Sequence, residues 1–100
     1  MASSKDFLEF ILEQLSTLPD ITYRAMMGEF IIYYHGKIIG GIYDNRLLIK
    51  PTPTIQKIIP NATMEIPYKG AKPMLMVPDP ENQELLECIF NTAYAELPKN

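Results

Sequence analysis

One hundred residues suffice for one domain and are too few for two, and with 47% hydrophobic and 21% charged residues the composition is that of an ordinary globular protein. A net charge of −3, with nine basic residues scattered among twelve acidic ones, argues against general attraction to phosphate backbones, so direct nucleic-acid binding is disfavoured. One cysteine, Cys88, and one histidine, His35, exclude an intrachain disulfide and the common structural zinc sites.

The amino terminus, MASSKDFLEF, has no basic segment followed by a long apolar run and does not read as a signal peptide. No apolar stretch approaches the roughly 20 residues of a membrane span. The expectation is a single domain over residues 1–100, cytoplasmic, without membrane contact, metal or cofactor.

In chain order, residues 4–18 read as a helix. Phe7, Leu8, Ile11, Leu12, Leu15 and Leu18 recur at spacings of three and four and so share one face. Ser3 or Ser4 can cap it, Ser3 forming a weak capping box with Asp6, and Pro19-Asp20 stops it. Residues 22–50 read as a β-meander. Thr22, Tyr23 and Met26 suit a first strand by residue type, and Phe30–Tyr34, Ile38–Tyr43 and Leu47–Lys50 supply three more. His35-Gly36 and Asp44-Asn45 are two-residue hairpin turns between them.

Thr52 and Pro53 read as an N-cap and first helical position, opening a short helix through Ile59. Strands are expected near Thr63–Ile66 and Met74–Val77. Asp79-Pro80 repeats the cap-then-proline signature before a last helix that buries Leu85, Leu86, Ile89, Phe90 and Ala93 and stops at Pro98. The fold class is α+β, a two-layer arrangement of antiparallel sheet and helices in the order α-β-β-β-β-α-β-β-α. No proline interrupts the first helix or the three central strands, in agreement with the apolar pattern.

Strand alternation with both two-residue turns sorts the meander onto two faces. Ile31, Tyr33, Ile38, Gly40, Ile42, Leu47 and Ile49 form an uncharged face, expected to pack under the long helices, with Gly40 allowing a helix to come close. The opposite face carries Phe30, Ile32, Tyr34, Ile39, Gly41, Tyr43 and Leu48, with Lys37, Arg46 and Lys50 at its margins. An apolar centre with a charged rim is the anatomy of an interface. Phe30, Ile32, Tyr34, Ile39, Tyr43 and Leu48 are therefore the candidate contact surface for a homodimer or a protein partner. The alternative is that the short middle helix or a terminal segment covers this face within one chain.

Few residues suggest chemistry. Gly28, in Met26-Met27-Gly28-Glu29, marks a bulge or tight turn with positive φ, and Glu29 is either a functional carboxylate or a turn carboxylate. The loop Pro67-Tyr68-Lys69-Gly70-Ala71-Lys72-Pro73 combines two lysines, a tyrosine and a glycine. It could hold an anion but lacks the spacing of a phosphate-binding Walker loop. Arg24, Glu29, Tyr68, Lys69 and Lys72 thus form a candidate anion or ligand site, the alternative reading being a small-molecule-binding protein or an enzyme of unknown activity. His35 reads as an exposed turn residue, Cys88 as a small core or boundary residue, and Met26, Met27, Met74 and Met76 as adaptable core filling. No acid–base pair, nucleophile or cofactor cradle assembles, so no catalytic residue is assigned and an enzyme is not expected.

The runs Tyr23–Phe30, Tyr33–Lys37, Gly40–Asp44, Leu47–Lys50 and Pro67–Met74 resemble the amino-terminal domain of the TfoX/Sxy family over nearly the whole chain, from Ser3 to Pro98. The MMGE segment followed by Tyr-Lys-Gly-Ala-Lys-Pro-Met carries the resemblance. It implies a helix, an antiparallel meander, a short helix, two strands and a final helix. It also implies a non-enzymatic regulatory role related to natural competence and to transcription, where the best-known members act with a cyclic-AMP receptor protein at promoters. Those members carry a second, carboxy-terminal helical domain, which the sequence to Asn100 does not include. The resemblance supplies no catalytic residues.

Overall fold

The computed structural model describes residues 3–99; Met1, Ala2 and Asn100, the ends of the expected domain, lie outside them. Its elements follow the expected order: α1 (Lys5–Gln14), β1 (Ile21–Met26), β2 (Glu29–Tyr34), β3 (Lys37–Tyr43), β4 (Arg46–Ile49), α2 (Pro53–Ile58), β5 (Met64–Glu65), β6 (Met74–Met76) and α3 (Gln83–Glu96). The strands form one antiparallel sheet in the order β1-β2-β3-β4-β6-β5.

Local chemistry explains most boundaries. Ser4 caps α1, its hydroxyl accepting from the Phe7 N–H, and Thr52 caps α2 in the same way from Ile55, with Pro53 in the first turn. The cap of α3 is Asn82, whose side-chain oxygen accepts from Leu85, and not Asp79. Asp79 instead closes a turn through its carbonyl, which accepts from the Asn82 N–H, so the proline signature lies one turn before the helix. All three meander hairpins use two-residue turns with both central φ angles positive: Met27-Gly28 (52°, 85°), His35-Gly36 (50°, 78°) and Asp44-Asn45 (53°, 55°). This turn type matches the right-handed twist of the strands it joins.

All three helices share one layer. Leu8 and Ile11 of α1 with its C-cap Leu15, Ile55 of α2, and Leu86, Ile89, Phe90 and Ala93 of α3 enter one core with Ile32, Tyr34, Ile39, Ile42, Leu47 and Ile49 from the sheet. Each such Ile or Leu contributes about 1.5–3 kcal/mol by leaving water.

The division of the meander between its faces differs from the expectation in β2 and at the start of β3. Tyr34 pairs with Lys37 and Tyr33 with Ile38, but Ile32 then pairs with Gly40, leaving Ile39 as an extra residue in β3. This bulge reverses the phase of everything beyond it. Gly40, Ile42, Leu47 and Ile49 face the helices as expected, yet their partners in β2 are Phe30 and Ile32 rather than Ile31 and Tyr33. The proposed contact surface is consequently internal. Ile32 and Ile39 are fully buried, Tyr34 is buried, and Phe30 packs against the same core. Tyr43 and Leu48 do lie on the opposite face, but there they are buried with Met74 in a second, smaller cluster.

Gly40 serves a strand rather than a helix. A Cβ there would run into the Leu48 carbonyl oxygen and stand 2.9 Å from the Ile49 Cα, both backbone atoms of β4. At Gly41 it would stand 2.6 Å from the Phe30 carbonyl oxygen. The Gly-Gly pair thus permits the close strand approach that the bulge creates.

Candidate functional site

The sheet face away from the helices carries the most developed concavity. A groove of about 830 Å³ runs over Ile31, Ile38 and Tyr43 and is walled by Tyr68, Pro73 and Met74. Residues 67–73 form its wall because the strand pair β5–β6 is joined by a loop too long for a tight hairpin. Within that loop Gly70 takes φ +88° and the Ala71 N–H donates to the Tyr68 carbonyl at 3.0 Å, so the chain turns back over the sheet. The Tyr68 ring reaches the Tyr43 ring, centroids 6.2 Å apart. Burial holds the Tyr43 phenol above its ordinary pKa, with smaller contributions from Tyr68 and Glu29.

Two cations line the groove, Lys50 and Lys72. Among the described residues neither ammonium pairs with a carboxylate; the ion pair there is Arg46–Glu65, and the other basic–acidic contact is His35 Nδ1 to the Asp20 carboxylate at 3.3 Å. An apolar trough with two ammonium groups that lack a carboxylate partner can accept an apolar body bearing a negative charge.

Of the ligand set expected from sequence, Tyr68 and Lys72 line this groove, whereas Arg24, Glu29 and Lys69 are not among its lining residues. Arg24 lies exposed on β1 and Lys69 exposed on the loop. Glu29 is committed elsewhere. Its carboxylate accepts from the Ser3 N–H at 2.9 Å, the Ser3 hydroxyl at 2.6 Å and the Asp44 N–H at 3.2 Å. The Ser3 hydroxyl in turn accepts from the Asn45 N–H at 3.0 Å, and the Asn45 side chain accepts from the Ser4 N–H at 2.8 Å. Glu29 therefore fastens the segment before α1 to the β3–β4 turn, satisfying donors that the left-handed turn leaves without sheet partners.

The remaining groups separate in the same way. Lys37 donates to the carbonyls of Tyr94 and Leu97 at 2.6 and 2.7 Å, neutralising the carboxy-terminal end of α3, and lies 4.7 Å from the centre of the Tyr94 ring. Arg46 ties β4 to Glu65 of β5 at 2.9 Å. His35 lies at its hairpin tip beside Asp20, stacked on Tyr34. Cys88 is exposed rather than part of the core, because the buried stripe of α3 passes through Leu86, Ile89, Phe90 and Ala93. Met74 is buried and Met76 partly so, but Met26 is exposed and Met27, at the first central position of its turn, is 96% exposed. Lys50 and Tyr43 were missing from the expected ligand set. Strand alternation had already set Tyr43 and Lys50 on this outer face, but no sequence signal joined them to the Tyr68–Lys72 loop.

Among the described residues no group of three His, Cys, Asp or Glu side chains is placed to hold a metal ion. Nor is any described helix long and apolar enough to cross a membrane.

No solved structure matches the chain. A protein of Spirochaeta aurantia, named only as an uncharacterized 12.7 kDa protein in the trpE 5′ region, is 31% identical over 91 residues, covering 86% of this chain and 79% of that protein. The sequence profile of the TfoX N-terminal domain matches residues 13–98, from the last two residues of α1 through the groove-forming loop to beyond the end of α3, and the chain belongs to that family.

Proposed function

We propose that the chain is a non-enzymatic regulatory domain that works by contact with a protein partner, in the manner of the amino-terminal module of a competence regulator and with a connection to transcription. Its contact surface is the groove on the outer sheet face. The occupant is an apolar segment of the partner carrying a carboxylate, which sits between Lys50 and Lys72. The observation that carries this reading is the groove's combination of apolar floor, unpaired lysines and exposed apolar margin, with Met26, Met64 and Tyr68 all more than a third exposed. A groove that gathers lysines and apolar side chains without a nucleophile–base pair favours recognition over chemistry.

A photo-crosslinking residue placed at Tyr68 in the native cell tests this. The expected product is an adduct with a second protein that is lost on Lys50→Glu with Lys72→Glu and absent when the probe sits at Tyr94 on the helix side. Equal labelling from Tyr94, or an adduct indifferent to charge reversal, rejects the reading. The presence of Tyr68 and Lys72 on one wall also suits a small anionic ligand. That reading predicts a low-mass adduct in native mass spectrometry, displaced by the same charge reversal, in place of the protein adduct.

A further inference from the structure

The two edges of the sheet are unlike. The β5 edge is two residues long, lies between Pro60 and Pro67, and is pinned by the Arg46–Glu65 pair. Those are the usual devices that prevent strand addition. The β1 edge, Ile21-Thr22-Tyr23-Arg24-Ala25-Met26, has six residues, no proline, no bulge and a single charge, and every residue after Ile21 is exposed. We propose that this edge is where a second copy of the chain adds, β1 against β1, to make one continuous antiparallel sheet.

The hydrogen-bond phase of β1 selects the register. Residues flanking a two-residue hairpin turn exchange both their backbone bonds, and bonded and non-bonded pairs then alternate. Met26 pairs with Glu29 across the Met27-Gly28 turn, so Met26, Arg24 and Thr22 spend their groups on β2. The His35 N–H donating to the Asp20 carbonyl at 3.0 Å, at the far end of the same ladder, has the same phase. Ile21, Tyr23 and Ala25 consequently direct their N–H and C=O groups to the open edge. A two-fold axis perpendicular to the sheet must therefore set these residues opposite one another, and placing it beside Tyr23 gives the longest overlap, with Ile21 opposite Ala25 of the second copy and about six new backbone bonds, against about four for an axis beside Thr22 or Arg24.

Side chains suit that register. Tyr23, held edge-on against Phe30 with centroids 6.0 Å apart and 45% exposed, meets its own copy over the axis. Arg24 falls opposite Thr22 rather than opposite Arg24, so the one charge of the edge meets no like charge. Met27 of the second copy arrives opposite Pro19, near an open hollow of about 570 Å³ whose apolar lining is Leu12, Leu15, Leu18, Ile21 and Tyr23, with Ser16, Asp20 and Thr22 supplying its polar part. The two grooves then face the same side of the joined sheet. Residues 21–25 do not line the groove, so failure of this pairing leaves the groove reading intact, and the converse holds.

Sedimentation velocity of the full chain in low salt, from low micromolar to about 0.5 mM, tests the pairing. A reversible dimer is expected. Thr22→Glu puts a carboxylate opposite Arg24 twice per dimer and should tighten association, while Thr22→Arg should weaken it, the two variants differing by about tenfold or more in dissociation constant. Tyr23→Pro removes an outward N–H and should give a monomer whose far-UV circular dichroism is unchanged. A native chain that stays monomeric at the highest concentration overturns the proposal. So does a dimer whose affinity ignores, or reverses, the order of the two Thr22 variants.

Discussion

Ile31 and Ile32 are neighbours in β2 and chemically identical, yet Ile32 is fully buried beneath the helices while Ile31 is half-buried on the floor of the groove. The same contrast extends over the whole sheet. The helix-side face is closed by three helices and carries the large core; the opposite face is roofed only over Tyr43, Leu48 and Met74, leaving the rest as a concavity. Both faces are apolar, so hydrophobicity alone does not decide which is covered. The decision rests on one extra residue, Ile39, which sets the phase between β2 and β3.

The contrast is broken most severely at the bulge. Gly40→Ala places a methyl group against the β4 backbone, where no flexible side chain can move aside, and should cost about 3 kcal/mol or more in urea unfolding. Near-native stability would mean that β3 and β4 do not approach as described. Next is Glu29, which stands on the groove side of the sheet yet serves as a fastener. Glu29→Ala should lower stability by about 2–3 kcal/mol through the loss of bonds to Ser3 and Asp44, read from the denaturation midpoint. An unchanged midpoint would return Glu29 to the list of candidate ligand groups.

The smallest effect is a pH dependence. The unfolded chain releases the Tyr43 proton near pH 10, whereas the folded chain holds it to higher pH because ionisation would put charge into the covered part of the outer face. Stability from this group is therefore complete below pH 10 and is lost as pH rises through the folded value. Tyr43→Phe should reduce the fall in stability between pH 9 and 11, measured by urea unfolding at both values; an identical fall would show that Tyr43 is not shielded by the loop.

Much of this was legible in the sequence. The helix stripes, the Thr52-Pro53 cap and the hairpin turns depend on neighbouring residues, and their signals lie within a few positions of one another. The bulge was not legible from hydrophobicity, because Ile31-Ile32 and Ile38-Ile39 offer two apolar neighbours in each strand and either phase buries an isoleucine. Gly40-Gly41 was the trace it left, since adjacent glycines in a strand mark close backbone approach. Tyr68 and Lys72 could be singled out as ligand groups from their loop, whereas Lys50 joined them only once the fold brought residues 50 and 72 to one groove. The role of Glu29 required Ser3, 26 positions away, and no local pattern links them.

Paired charge substitutions at the two isoleucines test the face assignment most directly. Ile32→Asp should unfold the chain or cost about 4 kcal/mol or more, while Ile31→Asp should change the urea midpoint by less than about 1.5 kcal/mol. A folded Ile32→Asp protein alongside an unfolded Ile31→Asp protein would turn β2 over and remove the groove.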